Sequence, residues 1–284
     1  MVLRRTWATL EVCLLMLTHA QEMRHQGRRH ELSDPSSVSF EEALPALVEA
    51  PIDALRALAN LAPDEGASLR AEPAFSSFPA SLDAVSPESR MQPPVRARVA
   101  DQAPSSANAE WAAGADPRPL VYITFGTLVG SNPHTLSIYR TSLDAVADLP
   151  VRVLLTTGGK MGPDVLGTLP ANVRVETWVP QREVLPHAAV LVCHGGSGTL
   201  LGGLAAGLPL VIVPFGADQP HNAQLVATAG AGLALNQPNA VELRVAIQRA
   251  LDAPELRQRA RRFAMEIAAM PTIDSAVEAM FGTG

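Results

Sequence analysis

Three short segments in the second half of the chain carry side chains suited to one composite ligand. They are Trp178-Val179-Pro180-Gln181, His194-Gly195-Gly196-Ser197-Gly198-Thr199 and Pro214-Phe215-Gly216-Ala217-Asp218-Gln219. An aromatic platform such as Trp178 can stack on a nucleobase, and Gln181 beside it offers an amide hydrogen-bonding edge. The glycines of the second segment let a backbone turn tightly and approach an anion closely. If a helix starts there, its unpaired N–H groups and positive dipole end suit a diphosphate, with His194, Ser197 and Thr199 adding side-chain donors. Asp218 and Gln219, a carboxylate beside a carboxamide, are good partners for vicinal sugar hydroxyls. In order, the segments spell base, diphosphate and sugar. Gly126-Thr127 could add a hydroxyl and an N–H for phosphate.

Each residue also has a plainer use. Trp178 could cap the core of a sheet, and the glycine-rich segment could be a simple turn with a capping Ser. Asp218 could be a helix N-cap, and Asn222 nearby has the same two readings. Gly126-Thr127 could be an ordinary strand-to-helix turn. His134, His187 and His221 suit surface or packing roles, and no function is assigned to them.

The elements that must position these residues alternate. Leu120 to Phe125 is a short apolar run closed by Gly126, as expected of a buried strand. Thr135 to Asp148 has helical spacing. Further strands are expected at Val151–Thr156, Val173–Trp178, Val190–His194 and Leu210–Pro214, with a short one at Leu233–Leu235. Helices between them include Thr199–Ala206 and Asn222–Ala229. Alternating strand and helix implies an α/β fold, a Rossmann-like parallel sheet flanked by helices with right-handed crossovers. Ligands of such sheets bind beyond the carboxyl ends of the strands, where all three segments lie.

Before residue 116 the character changes, so two regions are expected, 1–115 and 116–284. Glu41 to Leu61 has helical spacing broken by Pro45 and Pro51. From Ala62 to Ala115 prolines recur and periodicity fades, which predicts irregular or linker-like structure. At the start, Arg4 and Arg5 precede an apolar run from Trp7 to Leu17, the outline of a signal peptide. Glu11 interrupts the run, which is too short to span a bilayer, so an amphipathic helix or the debris of a truncated domain is the preferred reading.

Composition sets outer bounds. With 284 residues, 47% hydrophobic and 18% charged, the chain is globular in class. A net charge of −6 argues against a nucleic-acid partner. Cys13 and Cys193 are too few and too separated for a disulfide framework or a zinc site, which fits a reducing cytoplasm.

Residues from about Leu120 to Gly282, through these motifs, resemble the C-terminal, donor-binding domain of the UDP-glycosyltransferase superfamily. The likeness is greatest to bacterial macrolide and natural-product glycosyltransferases. The resemblance implies the C-terminal half of a GT-B fold. It implies that Trp178 stacks on the base and that Gln181 contacts base or ribose. His194, Gly196, Ser197 and Thr199 would hold the diphosphate, Asp218 and Gln219 the sugar, and Thr127 would lie on the phosphate side. Two departures stand out. Many relatives place a Glu eight residues after the motif His to hold the ribose hydroxyls, and Gly202 occupies that position here. The family also opens with an acceptor-binding domain whose glycine-rich loop carries a His acting as general base. Residues 1–115 show no match to it, so the chain resembles a truncated or remodelled member and its catalytic base is unassigned.

The expected activity is inverting transfer of a hexose or deoxyhexose from a UDP- or dTDP-sugar to a hydroxyl of a small acceptor. No cofactor or metal is expected, and the nucleotide sugar is a co-substrate. The alternative is a non-catalytic nucleotide-sugar-binding remnant or partner subunit. An epimerase on the same fold would need acid and base carboxylates at an interdomain cleft, and none is identified.

Overall fold

The computed structural model describes residues 106–126, 133–158, 162–216, 218–275 and 278, together with residues 53, 56, 57, 61–63 and 77–82. The N-terminal apolar run, most of the helix expected over Glu41–Leu61 and Thr127 lie outside the described residues. The chain divides into two compact units, Met1–Pro73 and Ala74–Gly284. In the first, Asp53, Arg56 and Ala57 are helical, and the Arg56 Nε donates to the Ala62 carbonyl at 2.7 Å.

The second unit is built on six parallel strands. They are β1 (Leu120–Thr124), β2 (Arg152–Thr156), β3 (Val173–Glu176), β4 (Ala188–Cys193), β5 (Leu210–Ile212) and β6 (Gly232–Ala234). Their spatial order is β3-β2-β1-β4-β5-β6. The order reverses between β1 and β4, the point where an open α/β sheet leaves a crevice beyond its strand ends. Thr124 of β1 pairs with Cys193 of β4, so the residues that follow each strand emerge side by side.

β1 and β4 are continuous apolar runs at their centres because both faces of the sheet are covered. Alternate residues feed two cores. Tyr122, Leu154, Leu191, Cys193, Leu210 and Ile212 share one with α4 (Ser197–Ala205) and α7 (Pro254–Ala269). Val121, Ile123, Val153, Val192 and Val211 share the other with α2 (Pro133–Val146) and α6 (Ala240–Asp252). α3 (Gln181–Val184) and α5 (Gln219–Thr228) are the short helices that carry site residues.

α6 and α7 are not among the elements expected from the sequence. Their signals were nevertheless present. Leu243, Ala246, Ile247 and Ala250 fall on one helical face, and Asn239 with Glu242 forms a complete capping box.

The region expected to be irregular also needs correcting. Ser106–Ala113 forms a helix, α1, and Phe78, Leu82, Trp111 and Ala112 pack on the first core. Its residues are mostly small and give no apolar stripe, so periodicity cannot show it. Tertiary contacts hold it instead. Arg152 on β2 donates to the Trp111, Ala112 and Arg118 carbonyls at 3.0, 3.1 and 3.2 Å, closing the helix C-terminus. The Arg152 and Arg174 guanidiniums lie 5.5 and 5.1 Å from the Trp111 ring centroid. The turn at Ser81 is held by the Glu266 carboxylate of α7, which accepts from the Ser81 hydroxyl and from its N–H.

Candidate functional site

β4 delivers His194 to the crevice, and α4 starts two residues later. Gly195 has φ +88°, a left-handed conformation, and a Cβ there would stand 2.8 Å from the Ile212 Cγ2, so only glycine fits. The His194 ring is flanked by two further glycines. A Cβ on Gly126 would lie 3.0 Å from both Cε1 and Nε2, and one on Gly196 would collide with Nε2 outright. Bare backbone on both sides is what lets an imidazole occupy the switch point.

Burial holds the His194 imidazole below its ordinary value of 6.5, against the opposing pull of the Asp218 carboxylate. The ring is therefore neutral at pH 7, and its Nδ1 is buried without a hydrogen-bond partner. An anion placed against the ring from the crevice would favour its protonated form.

Gly196 is the N-cap of α4, and no side chain caps the helix. Ser197 is thus the first helical residue and does not serve as the cap that the plainer reading supposed. The first-turn N–H groups keep the dipole end open to an anion.

Gln181 opens α3, and its Nε2 donates to the Thr199 Oγ1 at 3.2 Å. That bond ties the residue expected at the base or ribose to the residue expected at the diphosphate. Trp178 stands just beyond β3 and is 45% exposed, so it is not capping the core.

Asp218 occupies the N-cap position of α5 but makes no capping bond. Its Oδ2 instead accepts from the Asn222 Nδ2 at 2.8 Å. The same Nδ2 donates to the Gly195 carbonyl at 2.9 Å. Gln219 turns its Oε1 back on the loop, accepting from the Phe215 and Gly216 N–H groups at 2.8 and 3.3 Å. With that oxygen engaged by the loop, the NH2 is the end of the Gln219 amide left to meet a ligand, as a donor.

The structure therefore brings together His194, Gly196, Thr199, Gln181, Asp218 and Gln219 around the end of β4. Trp178 stands at the end of β3, and Thr127 lies outside the described residues. Asn222 and Gly126 join them as residues whose function the sequence left open. Among the described residues, no three His, Cys, Asp or Glu side chains form a metal-binding group, and no helix is long and apolar enough to cross a membrane.

A model of the erythromycin biosynthesis protein CIII-like family, C-terminal domain, matches residues 140–281. The chain belongs to this family. A demethyllactenocin mycarosyltransferase of Streptomyces fradiae is 35% identical over 165 residues, which cover 57% of this chain and 35% of that protein. The match thus spans about a third of that curated relative's length. The glycosyltransferase SnogD from Streptomyces nogalater superposes with a TM-score of 0.68 at 27% identity, over 85% of this chain and 63% of that one. The glycosyltransferase VinC, solved in complex with dTDP, superposes with a TM-score of 0.57 at 26% identity, over 71% and 49%. Family and neighbours agree with the fold the resemblance implied, the C-terminal part of a GT-B glycosyltransferase. The family match begins within α2, so β1 and Gly126 lie before it, and their assignment rests on the sheet order and the His194 contact.

Proposed function

We propose that the crevice beyond β1 and β4 binds a nucleotide sugar, UDP- or dTDP-linked, as the donor half of an inverting hexosyl- or deoxyhexosyltransferase. One observation carries the reading. A His stands between two glycines at the switch point, beside a helix N-terminus with no side-chain cap, with Asp218 joined to the same loop through Asn222. The names of the relatives, a mycarosyltransferase and glycosyltransferases, support it.

In the reaction, an acceptor hydroxyl oxygen bonds to the anomeric carbon as the bond from that carbon to the diphosphate oxygen breaks. The diphosphate leaves with the electron pair, and the hydroxyl proton passes to a base. His194 and the first turn of α4 would stabilise the charge growing on the diphosphate, with no obligatory metal. Trp178 and Gln181 would hold the nucleoside, and Asp218 and Gln219 the sugar. Acceptors are proposed to be small hydroxylated molecules, and the site of action the cytoplasm.

The second reading is nucleotide-sugar binding without transfer. Holding the acceptor in line supplies much of such a rate enhancement, and a general base adds about 10²–10⁴-fold. The test is product formation from labelled UDP-glucose and dTDP-sugars against phenolic, flavonoid and macrolide acceptors. Binding of UDP or dTDP without multiple turnover is the outcome expected of the 284-residue chain. Robust turnover would show that this chain also holds and deprotonates an acceptor. Absence of any nucleotide binding would overturn the donor-site reading.

A further inference from the structure

We propose that Asn222 is a positioning residue that couples the diphosphate loop to the sugar carboxylate, so that one buried amide sets both halves of the donor site. The proposal rests on the donor-site reading above and adds a role that none of the ligand-facing residues has.

Asn222 is 4% exposed and lies one turn into α5. Its backbone N–H already donates to the Asp218 carbonyl at 3.0 Å, so the helix needs nothing from its side chain. The side-chain NH2 makes two further bonds, to the Gly195 carbonyl at 2.9 Å and to the Asp218 Oδ2 at 2.8 Å. These acceptors belong to different segments. Gly195 precedes α4, and Asp218 precedes α5. The segments also lie close together, since a Cβ on Gly195 would stand 3.2 Å from the Gln219 carbonyl oxygen.

The consequence for the loop follows from peptide geometry. No described peptide is cis. In a trans peptide the C=O and the following N–H point in opposite directions. Anchoring the Gly195 carbonyl to Asn222 therefore turns the Gly196 N–H away from α5. Gly196 thus presents its N–H as a donor of the loop, and Asn222 fixes its direction. Gly195 could not fix it alone, because a glycine backbone has wide freedom.

The consequence for the sugar side is similar. With Oδ2 committed to Asn222, Asp218 offers Oδ1 to a sugar hydroxyl, in an orientation set by the same amide. A purely structural Asn would affect stability and leave the ligand response intact.

Calorimetry on the full chain with UDP, dTDP and UDP-glucose tests the coupling, at a temperature where circular dichroism shows each variant folded. Asn222→Ala should weaken UDP or dTDP about tenfold, the loss of an anchored donor, and should also erase the extra affinity contributed by the sugar. Asp218→Ala should erase the sugar increment while leaving UDP within about twofold. If Asn222→Ala does not fold, Asn222→Asp combined with Asp218→Asn keeps shape and net charge. It restores a donor between positions 218 and 222 but none to Gly195, so UDP should still bind about tenfold more weakly.

UDP affinity equal to that of the unaltered chain, in Asn222→Ala or in the paired variant, overturns the coupling while leaving the donor site standing. No UDP or dTDP binding by the unaltered chain overturns the donor-site reading and the coupling with it.

Discussion

The imidazole of His194 and the α-carbon of Gly196 are packed so closely that a methyl group on the glycine would occupy the space of Nε2. The side chain and the helix N-terminus therefore act as one surface, and neither can be altered without disturbing the other. His194→Ala should weaken UDP or dTDP by roughly 1–3 kcal/mol. Gly196→Ala should lose at least as much, because the ring must leave its position. Isothermal calorimetry measures both. A Gly196→Ala variant that binds diphosphate normally would show that the ring is not held where it is described.

The second expectation concerns pH. The folded-state value of His194 is lowered, so below the ordinary value of 6.5 the unfolded chain takes up a proton before the folded one does. This residue's contribution to stability is thus fully present above about 6.5 and is lost as pH falls through the window below it. A bound diphosphate reverses the sign, because a neighbouring anion favours the imidazolium and binding draws in a proton. Affinity for UDP should rise as pH falls from 7 toward 6, and His194→Gln should flatten the profile. Calorimetry in buffers of different ionisation enthalpy reads the proton directly, and proton release on binding would contradict the assignment.

Trp178 and Asp218 should separate cleanly. Trp178→Ala removes an exposed stacking platform and should cost nucleoside affinity by about 1–3 kcal/mol, with or without a sugar attached. Asp218→Ala should spare UDP and reduce discrimination among sugars. Equal weakening of UDP and UDP-glucose by Asp218→Ala would move that carboxylate away from the hexose.

Gly202 makes a prediction about the pentose. Where many relatives place a Glu, the Leu185 Cδ1 stands 3.3 Å from the position of a Cβ, and the nearest polar atom is the Gln181 Oε1 at 3.6 Å. A 2′-hydroxyl turned this way would lose water for little return. UDP and dUDP should therefore bind within about threefold of one another. Gly202→Glu should tilt the preference toward UDP, since only a flexible leucine terminus must yield. A tenfold preference of the unaltered chain for UDP over dUDP would count against this.

Much of this was legible because the chemistry sits where strands end. The runs at Leu120, Val190 and Leu210 are apolar on both faces, and each stops at a motif, so strand, crevice and anion loop could be read together. What stayed hidden is made by contacts distant in sequence. α1 is built of small residues with no stripe, and its stability comes from Arg152 and Trp111, some 40 residues apart. The pair of bonds from Asn222 crosses from α5 to the start of α4, and no local pattern marks it. Gln219 is expected to meet a sugar, and its sequence gives no sign that its oxygen accepts from the Phe215 and Gly216 N–H groups of its own loop. Thr127, assigned to phosphate by resemblance, lies outside the described residues.

Cys193 gives this architecture an internal reporter. Its thiol is fully buried at the centre of the sheet, and burial pushes it up to about 12, against a hydrogen bond from the Gly195 N–H. A thiol so placed is inert to alkylating reagents until the strand beneath His194 opens. In a Cys13→Ser background, the labelling rate of Cys193 would count how often the switch point comes apart. A bound nucleotide would slow that clock in proportion to its affinity. The residue next to the histidine thus measures the rigidity on which the histidine depends.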